Sequence, residues 1–218
     1  MKKIISFDLD GTIVSGHYGE MVWNHGIPEV YAKRYSMSFD EAKRFIRQEY
    51  ESVGDGDIIW YEIEHWLERF DLSVPADELL TKYESYIEVV PHAREVLEEL
   101  AKGYTLVVAS NAARIFVDKE LHYSGLAGYF THIISATTDY GMVKKEEQFY
   151  RRLCALLRVL PHEIAHVGDH PVFDHDVPAA MGIEAYYLQH EHSAVSHQLS
   201  IKDGRNVIKD LRELLDRL

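Results

Sequence analysis

Cysteine is almost missing: Cys154 is the single one in 218 residues. An internal disulfide is therefore impossible, as expected of a protein kept in a reducing compartment such as the cytoplasm. Cys154 lies in the helical pattern Leu153-Cys154-Ala155-Leu156-Leu157, where cysteine ordinarily serves as a small buried hydrophobe. Positive charge is also short, with 23 basic residues against 36 acidic ones and a formal charge of −13. That balance argues against nucleic acid and anionic membrane as partners. An anionic ligand would need local positive charge, from a metal or from placed lysines. No apolar run approaches the roughly 20 residues that span a bilayer. Lys2-Lys3-Ile4-Ile5 has the look of a signal-peptide start, but Asp8 and Asp10 break the apolar part at once. Asparagine (3) and glutamine (4) are scarce, as in thermally stable proteins.

What is present is an ordinary globular mixture, 46% hydrophobic and 27% charged. The length suits one α/β domain or a core carrying a smaller insert. The most informative stretch is near the start. Ile4-Ile5-Ser6-Phe7 is apolar and β-branched enough for a buried strand, and Asp8-Leu9-Asp10-Gly11-Thr12 follows directly. Carboxylates two residues apart project to the same side of extended chain. Gly11 allows a sharp turn, and Thr12 can hydrogen-bond locally. Two acids crowded at the end of a central strand repel each other unless a cation or a proton relieves them. A plain Asp-Gly turn with a second Asp beside it is the alternative.

From Ser15 to Glu88 helical patterns dominate. Ser15-Gly16-His17-Tyr18-Gly19 reads as a flexible exit from the strand. Ser38-Phe39-Asp40-Glu41 is a capping box, and Phe39, Ala42, Phe45, Ile46, Tyr50 and Val53 keep helical spacing after it. Gly54-Asp55-Gly56-Asp57 breaks that helix, Ile59, Ile63, Trp66, Leu67 and Phe70 mark the next, and Pro75 opens a third. With no strand in it, 15–88 is expected to be an all-helical insert. After Pro91 helices and strands alternate, the pattern of a parallel sheet covered on both faces. Strands over 104–109, 133–136, 164–167 and 184–188 would join 4–7 in a five-stranded parallel sheet. Val207, Leu211, Leu214, Leu215 and Leu218 would form a closing helix. The fold class is thus α/β, with a Rossmann-like three-layer core from 1–14 and 89–218. The stretch His190 to Gly204 has no clear period. Its His190, His192 and His197 have no supporting cysteine and read as solvated loop rather than a metal site.

An open parallel sheet gathers ligands beyond the carboxyl ends of its strands. The strand at 104–109 ends in Ser110-Asn111, whose hydroxyl and backbone N–H suit phosphate oxygens, or simply a helix cap. The strand at 164–167 ends in Gly168-Asp169, with Asp174 five residues on; Asp176 beside it reads as a solvated charge. Neighbouring strands would bring these acids to Asp8 and Asp10, an oxygen-rich set suited to Mg²⁺. Gly141-Met142-Val143-Lys144-Lys145 precedes a helix, and a lysine there would offset the carboxylates and bind a phosphoryl oxygen.

In this order, Asp8/Asp10, Ser110, Lys144 and Asp169/Asp174 resemble the four motifs of the haloacid dehalogenase superfamily in its phosphatase form. The insert at 15–88 resembles the C1-type helical cap of that superfamily in place and length. The resemblance implies hydrolysis of a small phosphorylated metabolite through an aspartyl-phosphate on Asp8, with Asp10 as general acid and base. Asp10 must then hold a proton part of the time, above the usual ~3.9. It also implies Mg²⁺ on Asp8, Asp169 and the main-chain carbonyl of Asp10, with Asp174 supporting the set. Ser110 and Lys144 would hold the transferring oxygens, and Thr12 and Asn111 would add substrate contacts.

The insert would act as a lid, hinged at Gly16, Gly19 and Val89-Val90-Pro91. It would offer substrate contacts from Gly54-Asp55-Gly56-Asp57, from basic residues such as Arg44 and Arg47, or from aromatics such as Tyr18, Trp23 and Trp60. Two positions depart from the pattern: Lys145 stands where many members have proline, so either lysine could serve, and His170-Pro171 stands where many have serine. A phosphomutase keeps all four motifs. A haloacid dehalogenase lacks the acid at Asp10, and a receiver-like signalling module lacks both that acid and the insert. A monomer or small homo-oligomer is expected.

Overall fold

The structure, a computed structural model, describes residues 2–143, 146–189 and 206–218. Ile4–Phe7 forms β1, buried throughout. It is flanked by β2 (Thr105–Ser110) and, beyond that, β3 (His132–Ser135) on one side. On the other side stand β4 (Ile164–Gly168), β5 (Glu184–Leu188) and β6 (Val207–Ile208). All pairings are parallel, in the order β3-β2-β1-β4-β5-β6. The described residues therefore hold six strands, not the expected five. β6 has two residues, too few for any periodicity to register, and Val207 pairs with Tyr187 rather than opening the closing helix.

Between β1 and β2 the chain is helical. α1 (His17–Met21) runs through a π-helical turn, Val22–Gly26, into α2 (Ile27–Tyr35). Then come α3 (Phe39–Val53), a 3-10 turn at Ile58–Tyr61, α4 (Ile63–Arg69) and α5 (Ala76–Tyr83). The Ser38 hydroxyl accepts from the Glu41 N–H, and the Glu41 carboxylate accepts from the Ser38 N–H, so the expected box starts α3. Ala42, Ile46 and Tyr50 face inward, but Phe45 is 39% exposed and stacks on Tyr31 instead. α1 replaces the expected flexible exit. Tyr18 is wholly buried, packs on Phe116 and donates to the Leu80 carbonyl, so tertiary burial overrides the two flanking glycines. Gly19 sits inside α1.

The rest of the chain covers the sheet. Successive strand residues point to opposite faces. Ile5, Phe7, Leu106, Val108, Ala165 and Val167 join one core, to which α6 (Ala93–Leu100) and α7 (Arg114–Ser124) contribute. Ile4, Val107, Ala109, Ile134 and Ile164 join the other. α8 (Ala136–Tyr140) is one turn; α9 (Glu147–Leu157) supplies Phe149, Tyr150, Leu153 and the buried Cys154 to that second core. α10 (Val177–Ala180) and α11 (Glu213–Arg217) complete a three-layer Rossmann-like α/β fold. The helical block shares the first core: Trp23 stacks on Phe116 of α7 at 5.5 Å and 11°. Its two connections to the sheet pair with each other, Ser15 N–H to the Glu88 carbonyl and Val90 N–H to the Ile13 carbonyl. Among the described residues no helix is long and apolar enough to cross a membrane.

Candidate active site

Sheet register brings the strand ends together. Phe7 lies level with Val108 and with Val167, so Asp8, Ser110 and Asp169 leave the same edge one or two residues later. Asp8 stays in the ladder, its N–H donating to the Val167 carbonyl at 2.8 Å. One carboxylate oxygen from each of Asp8, Asp169 and Asp174 lies within 4.8 Å of the others. Asp8 and Asp174 are buried and Asp169 is half-buried. Three hard oxygen donors at this spacing fit a small divalent cation, which takes oxygen ligands and keeps some of its waters. Asp10 is half-buried nearby, but its carboxylate is outside that trio.

Two glycines make the approach possible. Gly11 has φ +74°, and a Cβ there would lie 2.2 Å from an Asp169 carboxylate oxygen. A Cβ at Gly168 would lie 2.3 Å from the Asp174 carboxyl carbon. Asp174 is held from both sides. One of its oxygens accepts from His166 Nε2 at 3.0 Å, the other from the His170 N–H at 3.0 Å. His166 is itself fully buried in β4, with Nδ1 3.1 Å from the Ser6 hydroxyl of β1. Sequence reading passed over His166, although a histidine inside the apolar run Ile164-Ala165-His166-Val167 is itself a signal. Asp176 is half exposed beside His175, as its solvated reading requires.

Ser110 does not cap α7. Its hydroxyl accepts from the Ala112 N–H at 3.0 Å, and the helix begins only at Arg114. Hydroxyls at the end of β3 steady this bend: Thr137 donates to the Asn111 carbonyl and Ser135 to the Ala112 carbonyl. Ser110 and Asn111 line a cavity of about 740 Å³ together with Asp8, Asp10, Asp169 and Asp174. Thr12 is buried and is not part of its wall. Lys144 and Lys145, like His190, His192 and His197, lie outside the described residues.

The helical block supplies the opposite wall. Trp23, Arg47, Asp55 and Trp60 line it as expected, and Arg44, Tyr18, Gly54, Gly56 and Asp57 do not. Lys43 and Tyr61 join them without having been foreseen. The Tyr61 hydroxyl donates to the Asp55 carbonyl at 3.0 Å and lies in hydrogen-bonding reach of the Asn111 side chain. Burial, and then the Asp55, Asp8 and Asp174 charges, push the Tyr61 phenol up. His170 stacks on Phe173, and its Nδ1 accepts from two backbone N–H groups. Its Nε2 therefore carries the hydrogen and points to the Asp55 carboxylate, 4.0 Å away.

One further acid was missed. Glu120 of α7 is fully buried, and neither of its oxygens makes a regular hydrogen bond. Burial first, then the adjoining Asp10 carboxylate and Asp8, hold its carboxyl well above the usual range. The signal was available, since Glu120 interrupts the stripe Phe116, Val117, Leu121 that faces the core.

A family model described as a haloacid dehalogenase-like hydrolase matches residues 2–182. The GMP/IMP nucleotidase YrfG of Escherichia coli is 23% identical over 147 residues, 67% of this chain and 64% of that protein. The haloacid dehalogenase-like hydrolase domain-containing protein 3 of Xenopus laevis is 28% identical over 131 residues, 60% of this chain and 52% of that protein. The chain thus spans less than two thirds of the length of these relatives. Among solved structures, a HAD phosphatase from Thermococcus onnurineus has a TM-score of 0.85 at 25% identity, covering 100% of this chain and 97% of that one. A 2-haloacid dehalogenase from Pseudomonas syringae shares the fold, with a TM-score of 0.67 at 20% identity, over 99% and 97% of the chains.

Proposed function

The chain belongs to the haloacid dehalogenase-like hydrolases, and from that premise we propose that it hydrolyses a small phosphate monoester with Asp8 as nucleophile. The observation that carries this is the convergence of Asp8, Asp169 and Asp174 with Ser110 and Asn111 in one cavity. Asp8 needs no deprotonation to attack phosphorus, since a carboxylate is already ionised at neutral pH. The bond from phosphorus to the ester oxygen breaks as the Asp8–phosphorus bond forms. Asp10 gives its proton to the departing oxygen and later takes one from the water that hydrolyses the aspartyl-phosphate. The carboxyl of Glu120, fully buried beside Asp10, is held well above the usual range.

Mg²⁺ would be held by Asp8, Asp169 and the Asp10 main-chain carbonyl, and would neutralise phosphoryl charge. Asp174 has both oxygens engaged by His166 and His170, which suits a supporting place in that set. Ser110, Asn111 and Lys144 would hold the phosphoryl oxygens. The helical block at 15–88 would serve as the lid over this site, with 1–14 and 89–218 as the core. The nucleotidase relative makes nucleoside monophosphates one group to include among substrates.

The test is a screen of phosphate monoesters with Mg²⁺ or with EDTA, reading released phosphate. Turnover that EDTA removes and that Asp8→Asn abolishes is expected. Near-normal turnover by Asp8→Asn would overturn the assignment. Isomerised sugar phosphate without free phosphate would point to a phosphomutase instead.

A further inference from the structure

Tyr61 is the residue of the helical block whose position the site's own groups define most closely. It ends the 3-10 turn Ile58–Tyr61, between α3 and α4. Its hydroxyl donates to the Asp55 carbonyl of the same loop at 3.0 Å. The hydroxyl also reaches the Asn111 side chain, directly after the strand end that carries Ser110. The loop touches the core a second time where the Asp55 carboxylate meets His170, the residue after Asp169. Tyr61 therefore enters the cavity wall beside Asn111, in a lining it shares with Asp8, Ser110, Trp23, Trp60, Lys43 and Arg47.

We propose that Tyr61 determines which esters the site accepts, by roofing the space beside the phosphoryl pocket so that esters of primary alcohols fit and esters of secondary alcohols do not. This rests on the phosphatase reading above. Asp55, through its contact with His170, seats the roof.

Glycerol 1-phosphate and glycerol 2-phosphate test this, because they share formula and charge and differ only in branching at the ester carbon. With Mg²⁺ present, the wild-type chain is expected to favour the 1-phosphate by about tenfold or more in kcat/KM, the scale on which a crowded pocket discriminates. Tyr61→Phe keeps the ring and should keep the preference. Tyr61→Ala should bring it to within about threefold, chiefly by raising kcat/KM for the 2-phosphate. Asp55 is exposed, so Asp55→Ala endangers folding least, and it should relax the preference in the same direction. A wild type without preference overturns the proposal. So does a folded Tyr61→Ala with its preference intact. If melting shows that Tyr61→Ala does not fold, an unchanged preference in Asp55→Ala overturns it instead. Absence of phosphate release from both esters overturns this proposal; only absence of release from every monoester of the screen removes the phosphatase reading as well.

Discussion

Replacing Glu120 by glutamine gives the sharpest physical test of the site's interior. The carboxyl is fully buried, lacks a regular hydrogen bond and faces Asp10, so its folded-state pKa lies well above that of the unfolded chain. Below about pH 4.3 the group is protonated in both states and does not affect stability. Above that, the unfolded chain releases the proton while the folded one retains it. Stability therefore falls as pH rises, until pH reaches the folded pKa. The slope over that window is about 1.4 kcal/mol per pH unit. Wherever pH lies between the two pKa values the wild type loses stability at that slope, and Glu120→Gln loses none of it.

At 2–4 °C per kcal/mol, that slope shifts the melting difference between the two proteins by roughly 3–6 °C per pH unit in favour of the glutamine form. The buried amide has its own penalty, of order 1–3 kcal/mol, but that offset is independent of pH. Melting curves of both proteins at pH 5, 6 and 7, in EDTA, provide the measurement. Titrating groups away from Glu120 are common to the pair and cancel in the difference, so what remains belongs to Glu120 and the aspartates beside it. A melting difference that stays constant from pH 5 to pH 7 would show that Glu120 ionises normally, and the description of its surroundings would be wrong.

Two further changes address the aspartate set. Gly11→Ala forces a left-handed backbone on alanine, at about 1–2 kcal/mol, and drives a methyl group into Asp169; calorimetric titration with Mg²⁺ should show binding lost while the sheet still melts cooperatively. His166→Ala removes the donor to one Asp174 oxygen and should weaken Mg²⁺ binding by about 10- to 100-fold in the same titration. Unaltered affinity would reduce His166 to a packing residue.

Much of this arrangement was legible because each motif marks a change of period. The buried run of β1 stops at Asp8, that of β2 at Ser110 and that of β4 at Gly168, and turn residues follow each time. Parallel strands must all point the same way, so three such stops imply one shared edge. Local patterns also started α3 at Ser38 and α5 after Pro75. What escaped depends on contacts far apart in sequence. Nothing within Ser15 to Gly19 announces that Tyr18 will be buried against Phe116, some hundred residues away. Val207 and Ile208 are a strand only because Tyr187 and Leu188 stand beside them. Nothing local marks Tyr61, whose importance lies in Asn111, fifty positions on.

The alignment of Phe7 with Val108 and Val167 has a bearing on how damage to this molecule would first show itself. Sliding β1 by one residue against β4 would turn Ile5 and Phe7 out of their hydrophobic bed and carry Asp8 to the wrong side of the sheet in the same motion. The greasy interior thereby acts as a ruler for the acids at its rim. A slightly loosened interior, say Val108 trimmed to alanine, should blunt metal capture and turnover well before the chain comes apart.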